Sequence, residues 1–173
     1  MTDWESEDLL GITIDGNGFT VTTPAPLFNI VSAGSVVKNL GVIASENFEF
    51  NAPNQVTNFG LVACSVSSAT FANVYAETSS VPEGATDEDK QNNTYGNLSV
   101  NLSSSAKVGG MFGVVENNAI IKNCFTKTKL TVVQNDANAL ITVVGGFVGE
   151  VQSGAVITNC YAVPKDTKLV EAS

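Results

Sequence analysis

The sequence predicts an all-β chain, a parallel β-helix or β-solenoid. Dividing its 173 residues by the repeat period gives about four to five coils. Three observations carry this reading. A seventeen-residue pattern recurs four times at constant internal spacing, and its asparagines, Asn39, Asn73, Asn123 and Asn159, lie 34, 50 and 36 residues apart. A period in that range marks a stacked-repeat architecture. Apolar residues alternate over short runs, which is the pattern of strand and not of helix. Turn-forming pairs recur at a fixed distance before each asparagine, as the corners of a coil require.

The elements follow in chain order. Gly11 to Val21 reads as two short strands joined by a tight turn at Asp15-Gly16-Asn17-Gly18, an incomplete first coil. Within the repeat, the position two before the asparagine is apolar in every copy (Val37, Phe71, Ile121, Ile157), as is the position twelve before it (Leu27, Leu61, Met111, Phe147). Leu40, Val74, Cys124 and Cys160 follow the asparagine directly. Asparagine suits a sharp corner because its short amide tolerates the left-handed backbone region. Stacked vertically, the four amides can hydrogen-bond as a ladder, with coils rising about 4.8 Å each. Ten residues before the asparagine stand Asn29, Ala63, Gly113 and Gly149, where a second bend is expected. Ala33-Gly34, Ser67-Ser68, Asn117-Asn118 and Ser153-Gly154 read as a third turn.

The long middle interval exceeds the 36-residue one by 14. The excess falls between Glu77 and Gly96, which has no strand pattern and predicts a loop pushed out from one corner. Alternation resumes at Leu98 to Leu102. The chain reads as a single domain, residues 1–173, with repeats over 11–163, an N-terminal cap or tail over 1–10 and a C-terminal tail over 164–173. Trp4, Leu9 and Leu10 are expected over one end of the stack and Pro164 to Ser173 over the other, because an open end exposes unpaired backbone.

Composition narrows the function classes. Only 14% of residues are charged, whereas asparagine, threonine and serine number 18, 16 and 15, so the surface is largely neutral and polar. All eight basic residues are lysines and the net charge is -9, which disfavours nucleic acid and anionic membranes as partners. No apolar run reaches the length of a membrane-spanning helix. Met1 to Leu10 carries Glu5, Glu7 and Asp8 and lacks the charge order of a secretory signal. The composition suits an extracellular or cell-surface protein whose signal and anchor lie outside this sequence.

Gly110-Met111-Phe112-Gly113 and Gly146-Phe147-Val148-Gly149 match the glycine-leucine-uncertain-glycine signature. Gly60-Leu61-Val62-Ala63 matches it more loosely, and Pro26-Leu27-Phe28-Asn29 retains little of it. Over residues 11–163 the chain resembles the bacterial GLUG-motif repeat proteins, exported adhesin-like surface polypeptides. Asp15-Gly16-Asn17-Gly18 is similar to the strand turn that precedes such repeats. The resemblance implies a right-handed parallel β-helix serving display, spacing or adhesion, and it implies no catalytic residue.

The expected function is a non-catalytic structural and adhesive module that displays loops or binds a glycan or a protein partner. The alternative is a carbohydrate-active β-helix enzyme, a polysaccharide lyase or glycoside hydrolase. A third reading, a phage or fimbrial fibre segment, requires a stable trimer. Tyr75, Phe125 and Tyr161 each follow the asparagine by two positions and form an aromatic column. Facing solvent they would make a sugar platform; packing in the core or at a corner is the commoner fate of such rings. Glu116 and Glu150 lie on adjacent coils, offset by two positions, about 7 to 8 Å apart by the diagonal-neighbour rule. That separation falls within the inverting-glycosidase range. No arginine or histidine accompanies them, and a solvated surface pair is the simpler reading. Asp15 to Gly18 and Asp87-Glu88-Asp89 offer oxygen ligands to calcium, but turn chemistry and loop solvation explain them without a metal. Cys124 and Cys160 stack as free thiols, pointing the same way, which is poor disulfide geometry. With no histidine and three unclustered cysteines, neither a zinc site nor any cofactor is expected.

Overall fold

The structure, a computed structural model, describes residues 5–46, 48–52, 58–79, 86, 96–135, 142–163 and 168–171. These residues form strands joined by turns and contain no helix. The first pass of the chain holds β1 (Glu7–Leu10), β2 (Thr13–Asp15) and β3 (Thr20–Thr23). The second holds β4 (Phe28–Ser32), β5 (Val36–Ala44), β6 (Glu49–Asn51) and β7 (Asn58–Gly60). The third holds β8 (Ala63–Ser67), β9 (Thr70–Thr78), β10 (Leu98–Leu102) and β11 (Lys107–Gly109). The fourth holds β12 (Phe112–Glu116), β13 (Ile120–Lys122), β14 (Phe125–Lys127), β15 (Leu130–Gln134) and β16 (Val143–Gly145). The last holds β17 (Val148–Val151), β18 (Val156–Thr158), β19 (Tyr161–Ala162) and β20 (Lys168–Glu171).

Pairing occurs between passes, and every described pairing is parallel. One sheet runs β1-β4-β8-β12-β17, a second runs β6-β10-β15-β20, and a third runs β7-β11-β16. The fourth gathers β2 and β3 on β5, then β9, then β13 with β14, then β18 with β19. Parallel neighbours need long connections, and here the connection is the rest of each pass.

Inward positions carry the apolar residues. Val37, Phe71 and Ile121 stack in one column, Val31, Val66 and Val115 in another, and Leu98 with Leu130 in a third, all buried. Phe71 and Phe112 meet edge to face at 4.9 Å, and Phe112 meets Phe147 likewise at 5.8 Å. Each such contact adds about 0.5–1.5 kcal/mol beyond area burial.

Several sequence expectations are corrected. Asn29, Ala63, Gly113 and Gly149 lie within strands β4, β8, β12 and β17, so no bend sits there. The corner falls just before them, at Leu61-Val62, Gly110-Met111 and Gly146-Phe147. Gly113 is needed for close approach: a Cβ there would lie 2.5 Å from the carbonyl oxygen of Cys64 and 2.8 Å from the amide nitrogen of Phe59. Leu61 also leaves its expected column. Gly60 pairs with Gly109 and Ala63 with Phe112, which sets Val62 in line with Met111. The third turn absorbs the difference, since Ser68 alone occupies the place of Asn117-Asn118, and spacing is restored where Thr70 pairs with Ile120.

At the N-terminus, Glu7–Leu10 is the first strand of a sheet and not a cap, with Leu9 buried and Leu10 exposed. Strands β2 and β3 do not pair with each other; both lie along β5, and Gly16 to Phe19 loop out between them. At the other end, Lys168–Glu171 adds a parallel strand to β15, so the expected tail is part of a sheet. Trp4 and Pro164 lie outside the described residues. The register also locates the insertion. Glu77 pairs with Ile43 and Ser99 with Glu49, so 22 residue steps separate the first pair on one pass against 6 on the other. Its two ends meet, because a Cβ on Gly96 would stand 2.8 Å from the carbonyl oxygen of Ser79. Asp87, Glu88 and Asp89 lie outside the described residues.

Candidate functional site

Asn39, Asn73, Asn123 and Asn159 all adopt the left-handed conformation, with φ between 52° and 55°. Asn73 donates its amide to the Oδ1 of Asn39 at 2.9 Å, Asn123 to that of Asn73 at 3.2 Å, and Asn159 to that of Asn123 at 3.3 Å. The ladder has one direction: each amide nitrogen points toward the N-terminal end. It ends on Asp15, whose Oδ1 accepts from Asn39 at 3.0 Å and from the backbone nitrogen of Asn17 at 3.0 Å. Lys38 lies 3.1 Å from the other carboxylate oxygen. The Asn39 bond, followed by the Asn17 amide and Lys38, holds the Asp15 carboxyl down at about 2. Its polar capacity is thereby taken up by the ladder and the turn, which is a structural use of a residue that also fits a calcium ligand.

Two residues beyond the asparagine, Tyr75, Phe125 and Tyr161 occupy paired positions on β9, β14 and β19. Their neighbours Val74, Ala76, Cys124 and Thr126 are buried, so the strand alternation turns the rings outward. The rings therefore do not pack in the core. Tyr75 and Phe125 stack at 5.2 Å between centroids, 6° from parallel, and Phe125 and Tyr161 at 5.3 Å and 7°. In this offset stack each ring covers part of the next, and the column presents edges, hydroxyls and the outer face of Tyr161, which is 53% exposed.

Two supports were not evident from the sequence. Gly41 pairs with Tyr75 and seats its ring, since a Cβ at Gly41 would strike the phenol. Lys127 sits 5.5 Å from the Phe125 centroid and 3.5 Å from Glu77. The alternation placing Lys127 outward beside Phe125 was available in the sequence; the choice of Gly41 depended on register. A second amide cluster on the adjoining sheet joins Asn101 to Asn51 at 2.8 Å and to Glu49 at 3.0 Å.

Glu116 and Glu150 keep their diagonal relation, because Val114 pairs with Glu150. Glu150 is engaged by Gln152 at 2.6 Å and by Lys107 at 3.5 Å. Cys64, Cys124 and Cys160 are free thiols. Burial pushes the Cys124 thiol up to about 12 and that of Cys64 up to about 11, which removes the thiolate needed for reactivity at neutral pH. No group of three metal-ligating side chains occurs among the described residues. Comparisons with protein-family models, with curated proteins and with solved structures returned no match.

Proposed function

We propose that the chain winds as a right-handed parallel β-solenoid and serves as a non-catalytic structural and adhesive module of an exported bacterial surface protein. The parallel registers support the winding, since the four sheets are visited in the same order on each complete pass. The resemblance to GLUG-motif repeats supports the surface role. The observation that carries the binding reading is the outward column of Tyr75, Phe125 and Tyr161 beside the amide ladder. Ring edges, two phenol hydroxyls and neutral amides lined up along the stack suit an extended glycan, which hydrogen-bonds through hydroxyls and packs its C–H faces on aromatic surface.

A glycan array read with the wild type and with Tyr75→Ala and Tyr161→Ala tests this. Binding of at least one glycan class, weakened tenfold or more by either substitution with the fold intact, is the expected result. Absence of binding to any arrayed glycan, or binding indifferent to both substitutions, would remove the column from the function.

A further inference from the structure

We propose that the N-terminal end of the stack is closed by Asp8 and Asp15 against a second copy of this chain. A stack of parallel strands leaves unpaired backbone at both ends, and adding a copy head to tail generates an open filament. The two ends of this molecule are otherwise matched for that event. Strand β1 begins the sheet that β17 ends, and β2 and β3 begin the sheet that β18 and β19 end. Followed through the intervening strands, the register sets Leu9 against Val151, Ile14 against Ile157 and Thr20 against Tyr161. Both ends also expose apolar side chains, among them Ile12 and Phe19 at one end and Val151 and Val156 at the other.

The carboxylates interrupt this match. Asp8 Oδ1 accepts from the Asn29 amide at 2.9 Å and from the Ile30 backbone nitrogen at 3.1 Å, at the irregularity between Glu7 and Leu9. Asp15 takes the last donor of the asparagine ladder in the same way. Each column thus ends on an ionised group that can only accept. In an end-to-end stack Asp8 would fall beside Gly149 and Glu150, and Asp15 beside Thr158 and Asn159. Asn159 directs its amide nitrogen toward Asn123, so its Oδ1 is left to meet the incoming carboxylate as a second acceptor. Glu150 is a like charge, and the lysine nearest it, Lys107, is already its ion-pair partner. Two carboxylates would lose water, Asp15 with Lys38 as its cation and Asp8 against the like charge of Glu150, and that cost opposes the apolar contact.

The test is sedimentation of the full chain over a wide concentration range. The wild type is expected to stay monomeric. The double variant Asp8→Asn/Asp15→Asn keeps an accepting oxygen at both sites and adds a donor for Asn159, and it is expected to associate with a dissociation constant at least tenfold lower. Adding Val156→Asp, which puts a carboxylate on the opposite end, should return it to the monomer. A double variant that melts cooperatively yet stays monomeric overturns the proposal, as does association that survives Val156→Asp, or a wild type that already forms chains. If the double variant fails to fold, Glu150→Lys/Thr158→Lys decides, because it puts a cation opposite each carboxylate: association of that folded variant supports the proposal and a folded monomer overturns it.

Discussion

The asparagine corner and the third turn lie a few residues apart on every complete pass, and they obey different rules. At the asparagine corner a single left-handed residue stands in all four copies, and the flanking residues keep one spacing throughout. At the third turn the left-handed residues are Ala33 and Gly34, then Ser68 alone, then Asn117 and Asn118, then Gly154. Both length and composition vary there. The asparagine corner joins two stretches whose inward side chains, such as Phe71 and Val74, are already fixed in core columns, and its own side chain is bonded to the copies above and below. The third turn is held between passes by backbone bonds, Gly34 to Ser68 at 2.8 Å and Ser68 to Asn117 at 3.0 Å, and its side-chain bonds, Ser68 Oγ to the Asn117 carbonyl at 2.7 Å and the Asn117 amide to Ser67 Oγ at 3.2 Å, do not form a column of one repeated residue. A corner is constrained by what its side chain does and by the register of the strands it joins, not by bending as such.

The largest effect should come from breaking the tighter corner. Inserting one glycine between Asn73 and Val74 turns Val74 and Ala76 outward and Tyr75 into the core, because a one-residue slip exchanges the faces of a strand. Loss of cooperative thermal unfolding, or destabilisation beyond about 4 kcal/mol, is the expected outcome. A milder break separates backbone from side chain. Asn73→Ala loses two ladder bonds and forces alanine into the left-handed region, for about 2–3 kcal/mol in denaturant titration. Asn73→Gly keeps the backbone at ease and should cost about 1 kcal/mol less than the alanine variant. Equal losses would mean that the left-handed geometry contributes nothing.

The same insertion at the looser turn should be tolerated. One glycine after Ser68 gives that pass the two-residue turn of its neighbours, and the unfolding free energy should change by no more than about 0.5 kcal/mol in denaturant titration. A loss comparable to that at Asn73 would erase the distinction between the corners. The smallest effect is acidic. The Asp15 carboxyl is held near 2 in the folded chain against an ordinary 3.8, so its stabilising contribution is complete above about pH 5 and is lost as pH falls through 2. Between pH 5 and pH 2 the melting temperature of the wild type should fall slightly further than that of Asp15→Asn. An identical fall in both would take Asp15 out of the ladder.

Much of this was legible in the chain. The spacing of Asn39, Asn73, Asn123 and Asn159 disclosed the stacked ladder, because only a residue repeated at one height can bond to its own copies. The insertion was legible for the converse reason, as a stretch without apolar alternation, although Glu77 and Thr78, read as its first residues, belong to strand β9. The outward turn of Tyr75, Phe125 and Tyr161 follows from alternation with Val74 and Ala76, but a preference for burying aromatics pointed the other way. What rings do on average lost to what strand alternation requires at these positions.

The period, the strand character and the asparagine column could be read along the chain, since they depend on local side-chain pattern and on intervals that can be counted. The alignment of Gly60 with Gly109, the close backbone approach at Gly113, and the strands at Glu7–Leu10 and Lys168–Glu171 emerged from the packing of one pass on another. Those outcomes depend on which backbone lies beside which. A parallel strand gains its hydrogen bonds from a neighbour an entire pass away, and no local stretch of sequence states where that neighbour will lie.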